Sequence, residues 1–210
     1  MAKHGQGVRE SFAPGFLIAS PRLDGSPFER AVIVMVHHDE EGAMGFIVNK
    51  PLSIDLGSLL QTADDVLTGQ IMDSCFDLHV RFGGPVRVEQ LWLIYQEDEH
   101  RYIPGRDLDE LESRGMLHFD EGWCLVADSD SIEDFVYGKR HDSYRPYIGY
   151  TGWGPGQLED EIDEGSWLLL DFHEEMVFDE NEPEACWQQA LERLGVNPMA
   201  FLMMAKGESA

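Results

Sequence analysis

Residues 31–49 read AVIVMVHHDEEGAMGFIVN, and this stretch decides the fold class. An apolar run rich in β-branched residues leads into the acidic turn 39–42, and a second apolar run returns from it. Two such runs joined by a short turn with glycine are typical of a β-hairpin. We therefore predict two antiparallel strands, at 31–38 and 43–49.

Short apolar runs on both sides of the hairpin predict more strands, separated by turns that contain glycine or proline. Pro51 is expected to stop the hydrogen-bonded ladder directly after the hairpin, because proline has no N–H to donate. A short helix is predicted at 54–60. The further strands are predicted at 15–19, 78–82, 91–96, 123–127, 145–150 and 167–172, with 176–178 continuing or pairing with the last of them.

Two longer helices are predicted from their ends. Ser129 or Ser131 is expected to cap the first. The second helix is predicted over 182–194, and Asn181 and Glu184 at its start have the spacing of a capping box. Strands in pairs with interspersed helices favour an α+β domain over a regular βαβ winding.

The charge of the chain restricts its partners. The sequence has 210 residues and a formal net charge of −25 at pH 7. Its length suits one domain, predicted over 13–210 after a flexible segment 1–12. Affinity for nucleic acid rests on Lys and Arg side chains that neutralise phosphates, and only 15 are present. Direct DNA binding is therefore not expected, and the same charge disfavours an anionic membrane surface.

The cysteines and the N-terminal sequence indicate a cellular compartment. Cys75, Cys124 and Cys186 are widely spaced and show no metal-ligand spacing. Buried thiols in a reducing environment are the expectation. The N-terminal sequence has no apolar segment typical of a signal peptide. We therefore expect a cytoplasmic protein, and we predict no cofactor and no metal ion.

The stretch GYTGWGPGQLEDEID, residues 149–163, raises the question of a phosphate-binding loop. Pro155 stands where a P-loop lysine would be, and neither Gly152 nor Gly154 starts the glycine spacing of a dinucleotide-binding loop. Five carboxylates follow between 159 and 164, and they would repel a phosphate at the start of a helix. We predict a strand-to-helix turn whose glycines serve the backbone.

Two acidic or histidine-rich segments are weaker candidates for a metal site. His37 and His38 are adjacent, but successive side chains on a strand point to opposite faces. Asp160 and Glu164 have a spacing at which a helix could present two carboxylates to a divalent cation. The segment 159–184 holds twelve carboxylates and no Lys or Arg, and a solvated face that steers basic partners is the favoured interpretation.

Three blocks in order resemble the AlgH/YqgE family of bacterial proteins: residues 16–51, VRFGGPV at 80–86, and YIGYTGWGPGQLEDEIDEGSWL at 147–168. The resemblance covers about residues 13–202. It implies an α/β fold of the α+β type, with a bifurcated, mostly antiparallel sheet bent into a pseudo-barrel and flanked by helices. It implies no catalytic residues. One branch of the family is named as a transcriptional regulator of alginate synthesis.

The positions that match the family motifs are Asn49, Pro51, Gly83, Gly84, Pro85, Gly149, Tyr150, Gly152, Trp153, Gly154, Gly156, Gln157, Leu158 and Glu161.

Three functions follow as hypotheses. The first is a regulatory or interaction protein without catalysis that acts through protein partners. The second is a small-ligand-binding protein or enzyme with a pocket where the glycine-rich turns meet, for which Asn49, Gly84, Gln157 and Glu161 are the candidate binding residues. The third, direct control of transcription by DNA binding, ranks last because of the charge. The sequence leaves the oligomeric state undetermined.

Overall fold

The computed structural model describes residues 11–62, 70–97, 115–178 and 182–207. The predicted flexible segment 1–12 therefore lies almost wholly outside the described residues. Within them the strands are β1 Gly15–Ala19, β2 Val32–Asp39, β3 Gly42–Ile47, β4 Pro51–Asp55, β5 His79–Phe82, β6 Val86–Gln96, β7 Met116–Asp120, β8 Trp123–Val126, β9 Ser143–Trp153 and β10 Trp167–Leu170. The helices are α1 Leu56–Thr62, α2 Ser129–Val136, α3 Gln157–Asp163, α4 Glu174–Val177, α5 Pro183–Arg193 and α6 Pro198–Gly207.

The described strands form one curled, branched sheet. Along the order β10-β1-β2-β3-β9-β6-β8-β7 every neighbouring pair is antiparallel. The branch lies on β9, whose far end pairs with β3 and whose middle pairs in parallel with β5. The sheet forms a half-barrel with helices around it, and the predicted α+β fold class is confirmed.

The hairpin that opened the sequence forms β2 and β3, as predicted. Its apolar run does not alternate with polar residues because both faces of β2 are buried. Val32 and Val34 contribute to a core that includes Trp187 of α5, whereas Ile33 and Met35 contribute to a second core that includes Leu158 of α3. A third core lies beneath α1 and α2.

The structure corrects three predicted element boundaries. The hairpin ladder ends at Ile47, before Pro51, but Pro51 also begins an unpredicted strand, β4, which pairs with β5; a first strand residue needs no N–H in the ladder. The predicted helix at 54–60 begins later, at Leu56. The predicted strand at 176–178 is wrong, since Glu174–Val177 is a short helix that buries Met176 and Val177.

The predicted helix caps also differ from the structure. Asp128, not Ser129 or Ser131, caps α2, and its Oδ1 accepts a hydrogen bond from the Ser131 amide at 2.7 Å. For α5 the structure places the capping position at Glu182, whose side chain makes no capping hydrogen bond. The predicted capping box stays a prediction, because Asn181 lies outside the described residues. In the described part of the chain, no helix is long and apolar enough to cross a membrane.

Candidate functional site

The structure places the four candidate binding residues in three different environments. Gly84 lies at a close crossing of two backbone segments. Gln157 and Glu161 lie on α3 against two tryptophans. Asn49 lies at the edge of a cleft. The ligand-binding role of all four remains a prediction, and the contacts below show what each residue does in the fold.

Gly83, Gly84 and Gly149 form what we call the glycine crossing, where the turn between β5 and β6 passes over β9. A β carbon on Gly83 would lie 2.3 Å from the Gly149 carbonyl oxygen, and one on Gly84 would lie 2.3 Å from the Tyr150 carbonyl carbon. The crossing is tied to both neighbouring strands, because Ile47 N donates to Gly83 O and Gly83 N donates to Ile148 O. Close backbone approach therefore requires these glycines, and the second and third sequence blocks meet here.

The glycine-rich turn that raised the question of a phosphate loop connects β9 to α3. Gly156 adopts a left-handed conformation with φ of 73° at the start of the helix. The Gly154 amide donates to Gln157 Oε1 at 3.1 Å, which occupies one of the N–H groups that a phosphate loop would offer. The predicted strand-to-helix turn is confirmed.

Glu161 holds two tryptophan rings together. Its Oε2 accepts hydrogen bonds from Trp153 Nε1 at 2.9 Å and from Trp167 Nε1 at 2.7 Å. Its Oε1 accepts from Gln157 Nε2 at 2.9 Å. The two indole rings pack edge to face, with centroids 6.0 Å apart. We call this group the indole clamp; it joins α3 to β9 and β10.

Asn49 ties three segments together. Its Oδ1 accepts from the Val32 amide, and its Nδ2 donates to the carbonyl oxygens of Arg30 and Pro183, all at 2.9 Å. The side chain is buried. Asn49 thereby fixes the segment before β2 against the N-terminus of α5, and it lies in the wall of the space between them.

That space is a cleft of about 420 Å³ between the segment before β2 and the N-terminus of α5. Pockets of roughly 300–1,000 Å³ are typical of small-ligand sites. The residues that line the cleft are Ser26, Glu29, Arg30, Asn49, Lys50, Glu182, Pro183 and Glu184.

Arg30 is the unusual residue of the cleft. Its φ of 51° is left-handed, a conformation that costs a residue with a side chain roughly 1–3 kcal/mol. The guanidinium donates to Glu184 and lies 5.8 Å from the centre of the Trp187 ring. The hydrogen bond to Glu184 raises the pKa of Arg30 above its usual range, so the group is a permanent cation.

Lys50 supplies the second cation of the cleft. Its Nζ donates to the Pro27 carbonyl oxygen. Burial lowers the pKa of Lys50 below its usual range, and the charge of Glu29 opposes that shift only in part. The ammonium is therefore less well solvated than a surface lysine, which strengthens its attraction for an anion.

The sequence identified Asn49 as a candidate but did not identify the charged residues of the cleft. Arg30 and Glu184 lie 154 positions apart, and no local pattern links them. Glu184, which the predicted capping box assigned to the start of α5, contacts Arg30 and Gln188 in the structure. The Asn-Lys-Pro stretch at 49–51 was the one available signal for Lys50.

The adjacent histidines contact different partners. His37 Nε2 lies 2.9 Å from Asp39 Oδ2. His38 Nδ1 accepts a hydrogen bond from the Phe12 amide, and its Nε2 lies 2.9 Å from Glu159 Oε1. All three cysteines are free and buried, as predicted.

Comparison with known proteins gives one consistent result. A family model described as AlgH-like matches residues 16–199. A UPF0301 protein of Anaeromyxobacter dehalogenans is 33% identical over 199 residues, which cover 94% of this chain and 95% of that protein. A UPF0301 protein of Paracoccus denitrificans is 36% identical over 184 residues, which cover 87% and 90%.

Two solved structures are similar. The solution structure of the AlgH protein from Pseudomonas aeruginosa has a TM-score of 0.70 and 26% identity, and the match covers 94% of this chain and 96% of that one. The crystal structure of a Corynebacterium diphtheriae protein has a TM-score of 0.58 at 18% identity, over 91% and 90% of the two chains, and supports the fold alone.

Proposed function

The chain belongs to the AlgH-like family, and we propose that it binds a small polar ligand with one anionic group in the cleft beside Arg30 and Lys50. One observation carries this proposal: a 420 Å³ cleft places two cationic side chains together in a chain whose net charge is −25. Cations are scarce in this sequence, with 15 Lys and Arg against 40 Asp and Glu. Two of them line this cleft together with Glu29, Glu182 and Glu184, so the cations would hold an anionic group and the carboxylates would face the rest of the ligand.

The anionic group of the ligand would compete with Glu184 for Arg30. A carboxylate or phosphate can accept two parallel hydrogen bonds from a guanidinium. Lys50 would supply a further donor from the lining of the cleft.

The rest of the ligand should carry hydrogen-bond donors. Glu29 and Glu182 also line the cleft, and they would repel a ligand that was anionic throughout. Hydroxyl or ammonium groups would instead donate to these carboxylates. The proposed class is therefore small hydroxylated or amino-bearing carboxylates and phosphates.

Binding is tested by calorimetry on the full chain, with glycerol phosphate and serine as the phosphate and carboxylate probes at constant ionic strength. Saturable binding of at least one probe is expected. Lys50→Met should weaken that binding by at least about tenfold, since it removes the charge and keeps the apolar stem. The matched control is Lys139→Met, because Lys139 is an exposed lysine that pairs with Asp134 on α2.

Two results would contradict the proposal. One is the absence of saturable binding for both probes. The other is equal affinity in the wild type and in Lys50→Met, which would place the anion elsewhere on the surface.

The interaction hypothesis remains a second candidate because α6 exposes an apolar stripe. Met199 and Met203 are four positions apart on the helix and are 61% and 66% exposed. Phe201 and Leu202 pack against the core from the same helix. Exposed methionines are typical of adaptable binding surfaces, and the charge of −25 favours a partner protein with a basic rim around an apolar groove.

The partner is sought by cross-linking in the native cytoplasm, with the double variant Met199→Glu/Met203→Glu as the test. Val88→Glu is the control, since Val88 is 52% exposed on β6. A basic partner that is lost only with the double variant, and that binds more weakly at high salt, supports this function. A partner retained by the double variant would rule out the α6 stripe.

A further inference from the structure

Glu97, His118 and Cys124 come together on one face of the strands β6, β8 and β7. We propose that these three side chains form a binding site for Zn²⁺. Their ligand atoms all lie within 4.8 Å of one another. The site is separate from the cleft in residues and in elements, so it stands or fails independently of the proposed function.

The sheet register brings these three residues together. His118 on β7 pairs directly with Cys124 on β8, and Cys124 pairs with Tyr95 on β6. Directly opposed residues project to the same face of a sheet. Glu97 follows Tyr95 by two positions and therefore continues on that face, held there because its amide donates to Gly122 O at 2.8 Å.

Two of the three ligands have a buried atom with no hydrogen-bond partner within the described ranges of the chain. Glu97 Oε2 and His118 Nε2 are both shielded from solvent, and neither has a hydrogen-bond partner among the residues that the structure describes. A buried polar atom without a partner destabilises the fold, because it has lost its hydrogen bonds to water. A cation between them would satisfy both atoms at once.

The donor set suits zinc in chemistry and in charge. Thiolate, imidazole and carboxylate are the three side-chain ligands that Zn²⁺ uses. Tetrahedral ligand atoms around zinc lie about 3.5 Å apart, so movements of about 1 Å would close the site. A Cys124 thiolate and the Glu97 carboxylate would neutralise the two positive charges, and three protein ligands leave the fourth position for water or another molecule.

The surroundings of the site would orient its ligands. The Tyr95 hydroxyl, on the strand residue that pairs with Cys124, donates to the Met116 sulfur at 3.7 Å. Arg140 donates to that hydroxyl at 3.3 Å and lies 3.9 Å from Glu97 Oε1. Asp142 balances the charge of Arg140 at 2.7 Å. Contacts of this kind, made by residues beside the ligands, fix ligand geometry in metal sites.

Zinc binding would displace the thiol proton of Cys124 to solvent. A zinc ion bonded to the sulfur replaces that proton, as in other thiolate sites.

The test titrates Co²⁺ into the purified full chain and then displaces it with Zn²⁺. About one Co²⁺ per chain should bind, with the thiolate-to-metal absorption that only a cysteine ligand produces. His118→Ala and Cys124→Ser should each lower metal affinity by more than about 100-fold. That loss exceeds the roughly 10–100-fold typical of changing a residue that only hydrogen-bonds to a metal ligand. Cys186→Ser is the matched control, because Cys186 is another buried free cysteine.

Circular dichroism checks that each variant folds. If Cys124→Ser does not fold, Glu97→Gln serves in its place. Glutamine has nearly the same shape as glutamate, so this variant removes the carboxylate ligand with little disturbance of the fold. The proposal is overturned if Co²⁺ shows no thiolate absorption, or if the folded variants bind metal as tightly as the wild type.

Discussion

The carbonyl oxygen of Gly84 lies 2.3 Å from the place that a β carbon on Gly149 would take. These two residues belong to different sequence blocks and meet at the glycine crossing. No side chain fits between the two backbones, so this contact fixes how the turn before β6 sits on β9. The crossing is the joint of the branched sheet.

Gly149→Ala should destabilise the protein by more than about 3 kcal/mol, because both the left-handed backbone and the contact with Gly84 oppose it. Gly156→Ala is the matched control: its φ of 73° resembles the 67° of Gly149, yet nothing lies within 4 Å of the added carbon. The control should lose only about 1–2 kcal/mol. Urea unfolding measures the free energy of unfolding of both variants. Equal losses of stability in the two would show that backbone strain alone accounts for the effect, without the contact with Gly84.

Glu161→Ala should lower the free energy of unfolding by about 2–4 kcal/mol. The substitution leaves the indole N–H groups of Trp153 and Trp167 without their acceptor, at about 1–3 kcal/mol each. Asp160→Ala, on the exposed side of the same helix, should cost less than about 1 kcal/mol. Tryptophan fluorescence during urea unfolding reports the difference, and a loss in Glu161→Ala no larger than in Asp160→Ala would contradict the indole clamp.

Lys50→Met should stabilise the protein at neutral pH, because it removes a partly desolvated charge. The gain in the free energy of unfolding should be at most about 1 kcal/mol, since solvent screens the charge and the hydrogen bond to Pro27 is lost. Burial lowers the folded-state pKa of Lys50, so the folded chain bears the cost of a charged, desolvated ammonium at every pH below that value. As pH rises through the folded pKa, the folded state releases its proton first and that cost disappears.

The difference in stability between Lys50→Met and the wild type should therefore shrink as the pH approaches the ordinary pKa of lysine. Thermal unfolding from neutral to alkaline pH measures it, with Lys139→Met as the comparison. A lower stability of Lys50→Met at neutral pH would mean that the bond to Pro27 outweighs the desolvation of the ammonium.

The purified chain should not retard duplex DNA in a gel-shift assay, even at low salt. Low salt gives phosphate contacts their greatest strength, and a net charge of −25 opposes them throughout. A salt-sensitive shift would overturn this expectation and restore direct control of transcription as a function.

Local sequence pattern predicted the elements whose environment is local. The hairpin of β2 and β3 followed from β-branched runs around a glycine turn, and Ile132, Phe135 and Val136 are buried on α2. The element predictions were wrong or absent where the apolar residues showed no helical or strand periodicity. The sequence of α6, PMAFLMMAKG, is apolar on every side and was not predicted as a helix, and Met176 was assigned to a strand because its neighbours are apolar.

The sequence by itself determined the fold class, the family and the turn chemistry of the glycine-rich stretch, because hydrophobic period, glycine position and ordered motifs are properties of neighbouring residues. Only the tertiary structure decided that Glu161 binds two indoles, that Arg30 meets Glu184 across a cleft, and that Glu97, His118 and Cys124 share one face. Each of these contacts joins side chains from separate elements, and strand register and backbone crossings set their distances. No spacing along the chain encodes that geometry.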